Sequence, residues 1–175
     1  SVYTWAVSDG VRLEIGFLID KLTALMLTVV TFVSLCVHVY TIGYMQEDAG
    51  YKRFFSYIAL FTFGMLMLVM SNNFLQLFFG WEAVGLASYL WIGFWYERES
   101  AIAANLKAFL FNRVGDFGFL LGIAVIFMHT GTLDYLDTFA QAEGLAAAEM
   151  TIWPGLTVSV ITLACILLFV GAIDR

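Results

Sequence analysis

The feature that most constrains this chain is how many apolar runs it holds that are long enough to cross a bilayer as helices. A spanning helix needs roughly 20 predominantly apolar residues, and five stretches meet that requirement. The first runs from about Asp20 to Gly43 and the second from about Arg53 to Met70. The third, about Asn73 to Tyr96, follows the tight polar turn Ser71-Asn72-Asn73. The fourth, about Ala101 to His129, is long enough to tilt or to extend past the membrane. Pro154 suits the first turn of a helix and is expected to open the fifth, which continues to Ile173. Ahead of these runs, "VYTWAV" and "VRLEIGF" alternate around Ser8-Asp9-Gly10, which reads as a small β-hairpin at the membrane face. The expected fold class is an all-α polytopic membrane protein with about five transmembrane helices and a short β-hairpin at the N-terminus. The expected division is an extramembrane hairpin over 1–19 and a transmembrane domain over 20–175.

Composition agrees. The 175 residues are 62% hydrophobic and 13% charged, with one proline, against about 45–50% apolar and about 25% charged in soluble domains. A soluble fold has no means of hiding so much apolar surface. The formal net charge of -6 and the lack of a basic run argue against nucleic acid as a partner. Cys36 and Cys165 stand singly in apolar segments and read as buried small hydrophobes. Neither a disulfide framework nor a metal site is suggested. No signal peptide pattern is visible. Both ends look cut, so the chain is expected to be a piece of something larger.

The loops sort by charge. Loop 44–52 ends in Lys52 beside Arg53, and loop 97–100 holds Arg98. The stretch 131–153 has no basic residue but carries Asp134, Asp137, Glu143 and Glu149, and reads as a solvated connection. The positive-inside rule therefore puts loops 44–52 and 97–100 in the cytoplasm, and the N-terminus, 71–73 and 131–153 on the other side. Trp91, Trp95, Tyr96, Tyr40, Tyr44, Tyr51 and Trp153 fall near the expected interfaces, as aromatic belts do.

Charge within the spans is the chemical signal. Glu82 lies about nine residues from one end of its run and about fourteen from the other, too deep to reach either surface at about 1.5 Å per residue. A charged residue at a helix centre costs roughly 2.5–3.5 kcal/mol on insertion scales, and such residues mark ion or proton paths. Glu82 reads either as a protonated side chain hydrogen-bonded across helices or as a proton carrier tuned by its surroundings. Glu82, Gly85, Tyr89 and Gly93 share one helical stripe, which lets another helix approach closely. In the fourth run, Arg113 and Asp116 are i,i+3 neighbours able to pair, as a structural clamp or as a tuner of proton affinity. Lys107 faces about half a turn away from Asp116 and can also snorkel to the cytoplasmic surface. His38 and His129 lie near opposite membrane faces, where each can titrate near neutral pH or serve as a packing residue. No nucleotide-binding glycine loop, haem-ligand pattern or nucleophile–base motif is present. The residues support ion or proton movement and no covalent chemistry.

"NNFLQLFFGWEAVGLASYLWIGFWY", followed by "NLKAFLFNRVGDFGFLLGI", resembles the subunit L family of bacterial NADH:quinone oxidoreductase (respiratory complex I), whose mitochondrial counterparts are chain 5. "IDKLTALMLTVVTFVSLCVHVYTIGYM" is similar to the early membrane helices of the same family, and the likeness covers essentially the whole chain. The resemblance implies a proton-pumping, antiporter-like subunit in which the glutamate of a Gly-Trp-Glu motif works with a lysine on a later, broken helix. Glu82 matches that glutamate. Lys107, Arg113 and Asp116 match charged positions that modulate it, and His38 falls on a histidine common in the family without an assigned role. The resemblance also implies no cofactor in this chain, with NADH, FMN, iron–sulfur clusters and quinone held by other subunits. The implied partners are other complex I membrane subunits, especially antiporter-like neighbours, and the lipid bilayer. The implied location is the bacterial inner membrane.

The family continues its next helix as Gly-Ala-Met-Gly-Lys-Ser-Ala-Gln, whereas this sequence reads Gly171-Ala172-Ile173-Asp174-Arg175. Arg175 falls at the lysine's position, and an arginine does not give and take a proton. By itself the chain is expected to be inactive, as a non-redox part of a proton-translocating oxidoreductase. The other readings are a component of a multi-subunit cation/proton antiporter or membrane hydrogenase, and a non-functional truncated product. Composition does not name the transported ion.

Overall fold

In lipid a backbone N–H or C=O has no water to bond, so long apolar runs satisfy these groups internally, as helices. The computed structural model describes residues 1–8 and 11–173. The expected turn residues Asp9 and Gly10, and the terminal Asp174 and Arg175, lie outside the described residues. Strand β1 (Tyr3–Ser8) pairs antiparallel with β2 (Val11–Ile15), with a bulge between Thr4 and Ala6. Four helices follow: α1 (Lys21–Tyr44), α2 (Tyr51–Val69), α3 (Phe74–Ile92) and α4 (Glu99–Thr130). Two short helices, α5 (Tyr135–Ala140) and α6 (Ala142–Ala147), lead to a second antiparallel hairpin, β3 (Glu149–Trp153) and β4 (Leu156–Ser159). Helix α7 (Val160–Ile173) closes the order.

Among the described residues, α1, α2 and α4 are long and apolar enough to cross a membrane. The protein is thus a mostly helical membrane chain with a small N-terminal hairpin. Helix α3 has 19 residues, mostly apolar, with Gln76 and Glu82 among them. Helix α7 has 14, roughly 21 Å of rise against a hydrocarbon core of about 30 Å.

Three expectations are corrected. Pro154 does not open a helix. It sits with Gly155 (φ 91°) between paired Trp153 and Leu156, and Pro followed by a positive-φ Gly is the chemistry of a tight turn. The β-branched, alternating residues on either side then form a hairpin, so the last helix begins at Val160. The stretch 131–153 is not a bare solvated connection. It contains α5, α6 and β3, caps α5 with Asp134, and buries Thr138 and Leu145. Cys36 and Cys165 are exposed free thiols on α1 and α7, not buried packing residues. Those helix faces are left uncovered by the other described elements.

The chain divides into two compact units. One unit holds Phe17–Ser71 and Phe79–Leu110. Its helix α1 starts at Asp20, whose Oδ1 accepts the Thr23 N–H at 2.7 Å. That bond holds the Asp20 carboxyl below its ordinary value. Met45, Phe54, Ile58 and Phe94 form the buried core of this unit, with Val37, Tyr51, Tyr57 and Trp91 packed around them. Arg53 donates to the Phe94 carbonyl at 3.1 Å and lies 4.7 Å from the centre of that ring.

The other unit holds Ser1–Gly16, Asn72–Phe78 and the described residues from Phe111 on. Here Asn73 joins three segments. Its Nδ2 donates to the Glu14 carbonyl at 2.9 Å, its Oδ1 accepts the Gln76 N–H at 2.8 Å, and its backbone bridges to Asp134. Gln76 Oε1 accepts the Gly16 N–H at 3.0 Å, and Phe74 N–H bonds the Leu133 carbonyl at 2.9 Å. The turn at 71–73, legible as merely polar, is a hydrogen-bonded junction.

Candidate functional site

In the first of these units, Glu82 sits midway along α3 and is half-buried, with Val84, Gly85 and Ala87 buried beside it. The close approach of the neighbouring helix is made by small residues. A Cβ on Gly64 of α2 would stand 3.1 Å from the Val84 nitrogen, and one on Gly80 would stand 2.7 Å from the Leu68 nitrogen. No side chain fits at Gly80 without moving α2. Gly93 faces Asn105 in the same way, a Cβ there meeting Nδ2 at 2.5 Å. Of the stripe Glu82, Gly85, Tyr89 and Gly93, Gly85 is buried and Gly93 makes a close contact, while the close approaches between α2 and α3 fall at Gly64 and Gly80, off that stripe. Lys107, in the same unit, is exposed on α4, and Tyr89 packs on Phe109 with ring centres 5.3 Å apart.

In the other unit, Arg113 Nη1 lies 3.5 Å from Asp116 Oδ2. The Asp116 side chain is 6% exposed and that of Arg113 40%. Asp116 belongs to the buried stripe of α4 that includes Gly115, Gly118, Phe119, Gly122, Ile123 and Ile126. That stripe meets α7, where Gly118 and Gly122 lie against Val170 and Leu168, and Gly171 lies against Phe119. The expected Arg113–Asp116 pair is present, and its acid is buried beside a glycine-lined helix contact.

His38 is half-buried on α1. Its Nδ1 lies 2.7 Å from the Ser34 carbonyl and 3.3 Å from Ser34 Oγ, and its ring faces Phe55 of α2 at 5.8 Å. Ser34 Oγ lies 2.8 Å from Thr62 Oγ1 of α2. Neither Ser34 nor Thr62 stands out in the sequence. Their i−4 relations to His38 and Ile58 were the available signal, and helix-interior Ser and Thr make such bonds routinely. His129 is exposed at the end of α4, with Nδ1 3.0 Å from the Val125 carbonyl. Among the described residues no group of His, Cys, Asp and Glu could hold a metal ion.

Residues 71–173 match the family model described as NADH:quinone oxidoreductase/Mrp antiporter, TM, and residues 5–55 match that for NADH-ubiquinone oxidoreductase (complex I), chain 5 N-terminus. The chain is 59% identical over its whole length to a Neisseria meningitidis protein named NADH-quinone oxidoreductase subunit L. It is 47% identical over 98% of its length to the Rickettsia bellii protein of the same name. To the Triticum aestivum NADH-ubiquinone oxidoreductase chain 5 it is 51% identical, again over 98% of its length. It spans about a quarter of the length of these relatives, 26% of the Neisseria protein and 25% of the wheat one. These matches place the chain in the NADH:quinone oxidoreductase/Mrp antiporter transmembrane family, with complex I subunit L and chain 5 proteins among its relatives.

Proposed function

We propose that this chain is part of a proton-translocating membrane subunit of NADH:quinone oxidoreductase and moves protons without redox chemistry of its own. The carrying observation is Glu82. An ionisable side chain stands half-buried in the middle of an apolar helix, in a chain 59% identical to a subunit L. In such a site a carboxyl binds its proton more tightly when desolvated and less tightly when a cation approaches. Glu82 is the proton-carrying group, and Lys107, Arg113 and Asp116 adjust its affinity as their own pairing changes. NADH, FMN, iron–sulfur clusters and quinone belong to other subunits, and the membrane neighbours are other antiporter-like subunits. Helix α3 is a fourth span in the inner membrane and α7 contributes to a fifth, with 1–19 an extramembrane hairpin. Lys52, Arg53 and Arg98 put loops 44–52 and 97–100 in the cytoplasm, and the N-terminus and 131–153 in the periplasm.

Glu82→Gln tests the assignment, because the amide keeps the size and hydrogen bonding of the side chain but carries no transferable proton. In the complete complex the variant is expected to assemble while proton pumping per NADH oxidised falls at least several-fold in membrane vesicles. Unchanged pumping stoichiometry sinks the assignment. A second reading, a subunit of a multi-subunit cation/proton antiporter, is favoured by the shared family model over residues 71–173. Sodium uptake driven by an imposed pH gradient, with no response to NADH, supports that reading instead.

A further inference from the structure

The geometry points to a second proton-binding site in this chain: His38 takes up and releases a proton at Nε2 on the cytoplasmic half of α1, with Ser34 and Thr62 as positioning residues. The inference rests on the proton-translocating reading above and concerns a different pair of helices from the one around Glu82.

The positions of the hydrogens follow from the acceptors. Nδ1 of His38 lies 2.7 Å from the Ser34 carbonyl oxygen, which can only accept. The hydrogen of the neutral ring is therefore assigned to Nδ1. Ser34 Oγ, 3.3 Å away, shares it. Thr62 Oγ1 donates to the Ile58 carbonyl at 2.9 Å, so in the 2.8 Å contact with Ser34 Oγ the threonine accepts and the serine donates. Each hydroxyl hydrogen in the cluster then has an acceptor, and Ser34 Oγ offers its lone pairs to the ring. Both described hydrogen bonds of His38 are at Nδ1. Nε2 keeps its lone pair, and it is the atom that takes a proton without breaking any of these bonds.

Among the described residues, α1 and α2 bring no carboxylate to the ring. Helix α2, packed against α1, carries no acid, and its titratable groups are Tyr51, Lys52, Arg53 and Tyr57. Tyr51 lies against Phe55, Tyr57 against Phe94, Arg53 bonds the Phe94 carbonyl, and Lys52 is exposed. On α1 itself the titratable groups are Lys21, Cys36, Tyr40 and Tyr44, of which Tyr40 and Tyr44 stack on each other. The Ser34 carbonyl and hydroxyl oxygens accept the Nδ1–H, so losing an acceptor changes how the protonated ring is held. His38 is about 9 Å of helix rise from Tyr44, at the end of α1 assigned to the cytoplasm. A pump draws its protons from that side.

The test uses the complete complex in inverted membrane vesicles, where the cytoplasmic face meets the medium. NADH-driven proton uptake is measured across a pH series, normalised to NADH oxidation and to assembled complex. In the parent, uptake is expected to pass through one pH-dependent transition within the series. His38→Gln is expected to lower uptake several-fold and to remove that transition. Ser34→Ala and Thr62→Val are expected to shift the midpoint of that pH profile. A His38→Gln complex that keeps the parent's profile, whether at full rate or uniformly reduced, overturns the proposal, a uniform reduction being the mark of a packing role. If His38→Gln does not assemble, the other two variants decide, and an unmoved midpoint in both overturns it. Failure of the broader reading is seen separately, as normal pumping in Glu82→Gln.

Discussion

At the residue scale, the interior charges of this chain differ in how they are held. Asp116 is buried with Arg113 beside it, whereas Glu82 is half-buried on a helix that packs through glycines. Removing one partner of a buried ion pair costs more than replacing both with apolar groups, because the remaining charge stays desolvated. Arg113→Met is therefore expected to destabilise the subunit by about 1–3 kcal/mol, and adding Asp116→Leu is expected to recover most of that loss. The amount of assembled complex after graded heating measures both. A double variant weaker than Arg113→Met alone contradicts the account. Glu82 and the Arg113–Asp116 pair were legible in the sequence because a charge in an apolar run has few inexpensive explanations. Ser34 and Thr62 were not, since a hydroxyl on a helix can always bond back to its own backbone. Only their meeting across α1 and α2 gives them a role.

At the element scale, four helices and the N-terminal hairpin could be read from apolar length, alternation and turn residues. These patterns are local: a helix satisfies its bonds within four residues, so sequence alone specifies it. The fifth helix is shorter than its apolar run, because Pro154 with Gly155 makes a turn where a proline alone would also suit a helix start. Glycines inside helices are ambiguous in the same way, since one glycine can be a packing contact and another merely tolerated. Gly80→Ala is expected to destabilise by about 1–3 kcal/mol, as the new methyl meets the Leu68 backbone. Gly64→Ala is expected to cost less, its nearest contact being 3.1 Å. Gly43 has nothing within 4 Å, so Gly43→Ala is expected to be neutral or to stabilise by up to about 1 kcal/mol. Thermal stability of the purified complex orders the three, and a Gly43→Ala loss as large as that of Gly80→Ala contradicts the packing account.

At the scale of the whole molecule, much of the apolar surface is uncovered. Leu22, Phe32, Leu35, Phe117 and Phe169 are exposed on α1, α4 and α7, as expected where lipid or further helices of the relatives' longer chains supply the missing contacts. Within one unit, Asn73 holds together segments that are far apart in sequence. Asn73→Ala removes its bonds to the Glu14 carbonyl and the Gln76 N–H, each worth about 0.5–1.5 kcal/mol. Amide exchange across 11–16 is expected to accelerate at least several-fold in the assembled complex, with α1 unaffected. Unchanged exchange there shows that the hairpin is held by other contacts. The sequence by itself determined that this is a helical membrane chain with a carboxylate in its interior, because the bilayer imposes one length and one hydrogen-bonding rule on every span. Tertiary structure alone decided that Ser34 meets Thr62, that Asn73 is a junction, and which glycines are contacts. Those depend on where two distant segments abut, and no local pattern of residue types encodes that meeting.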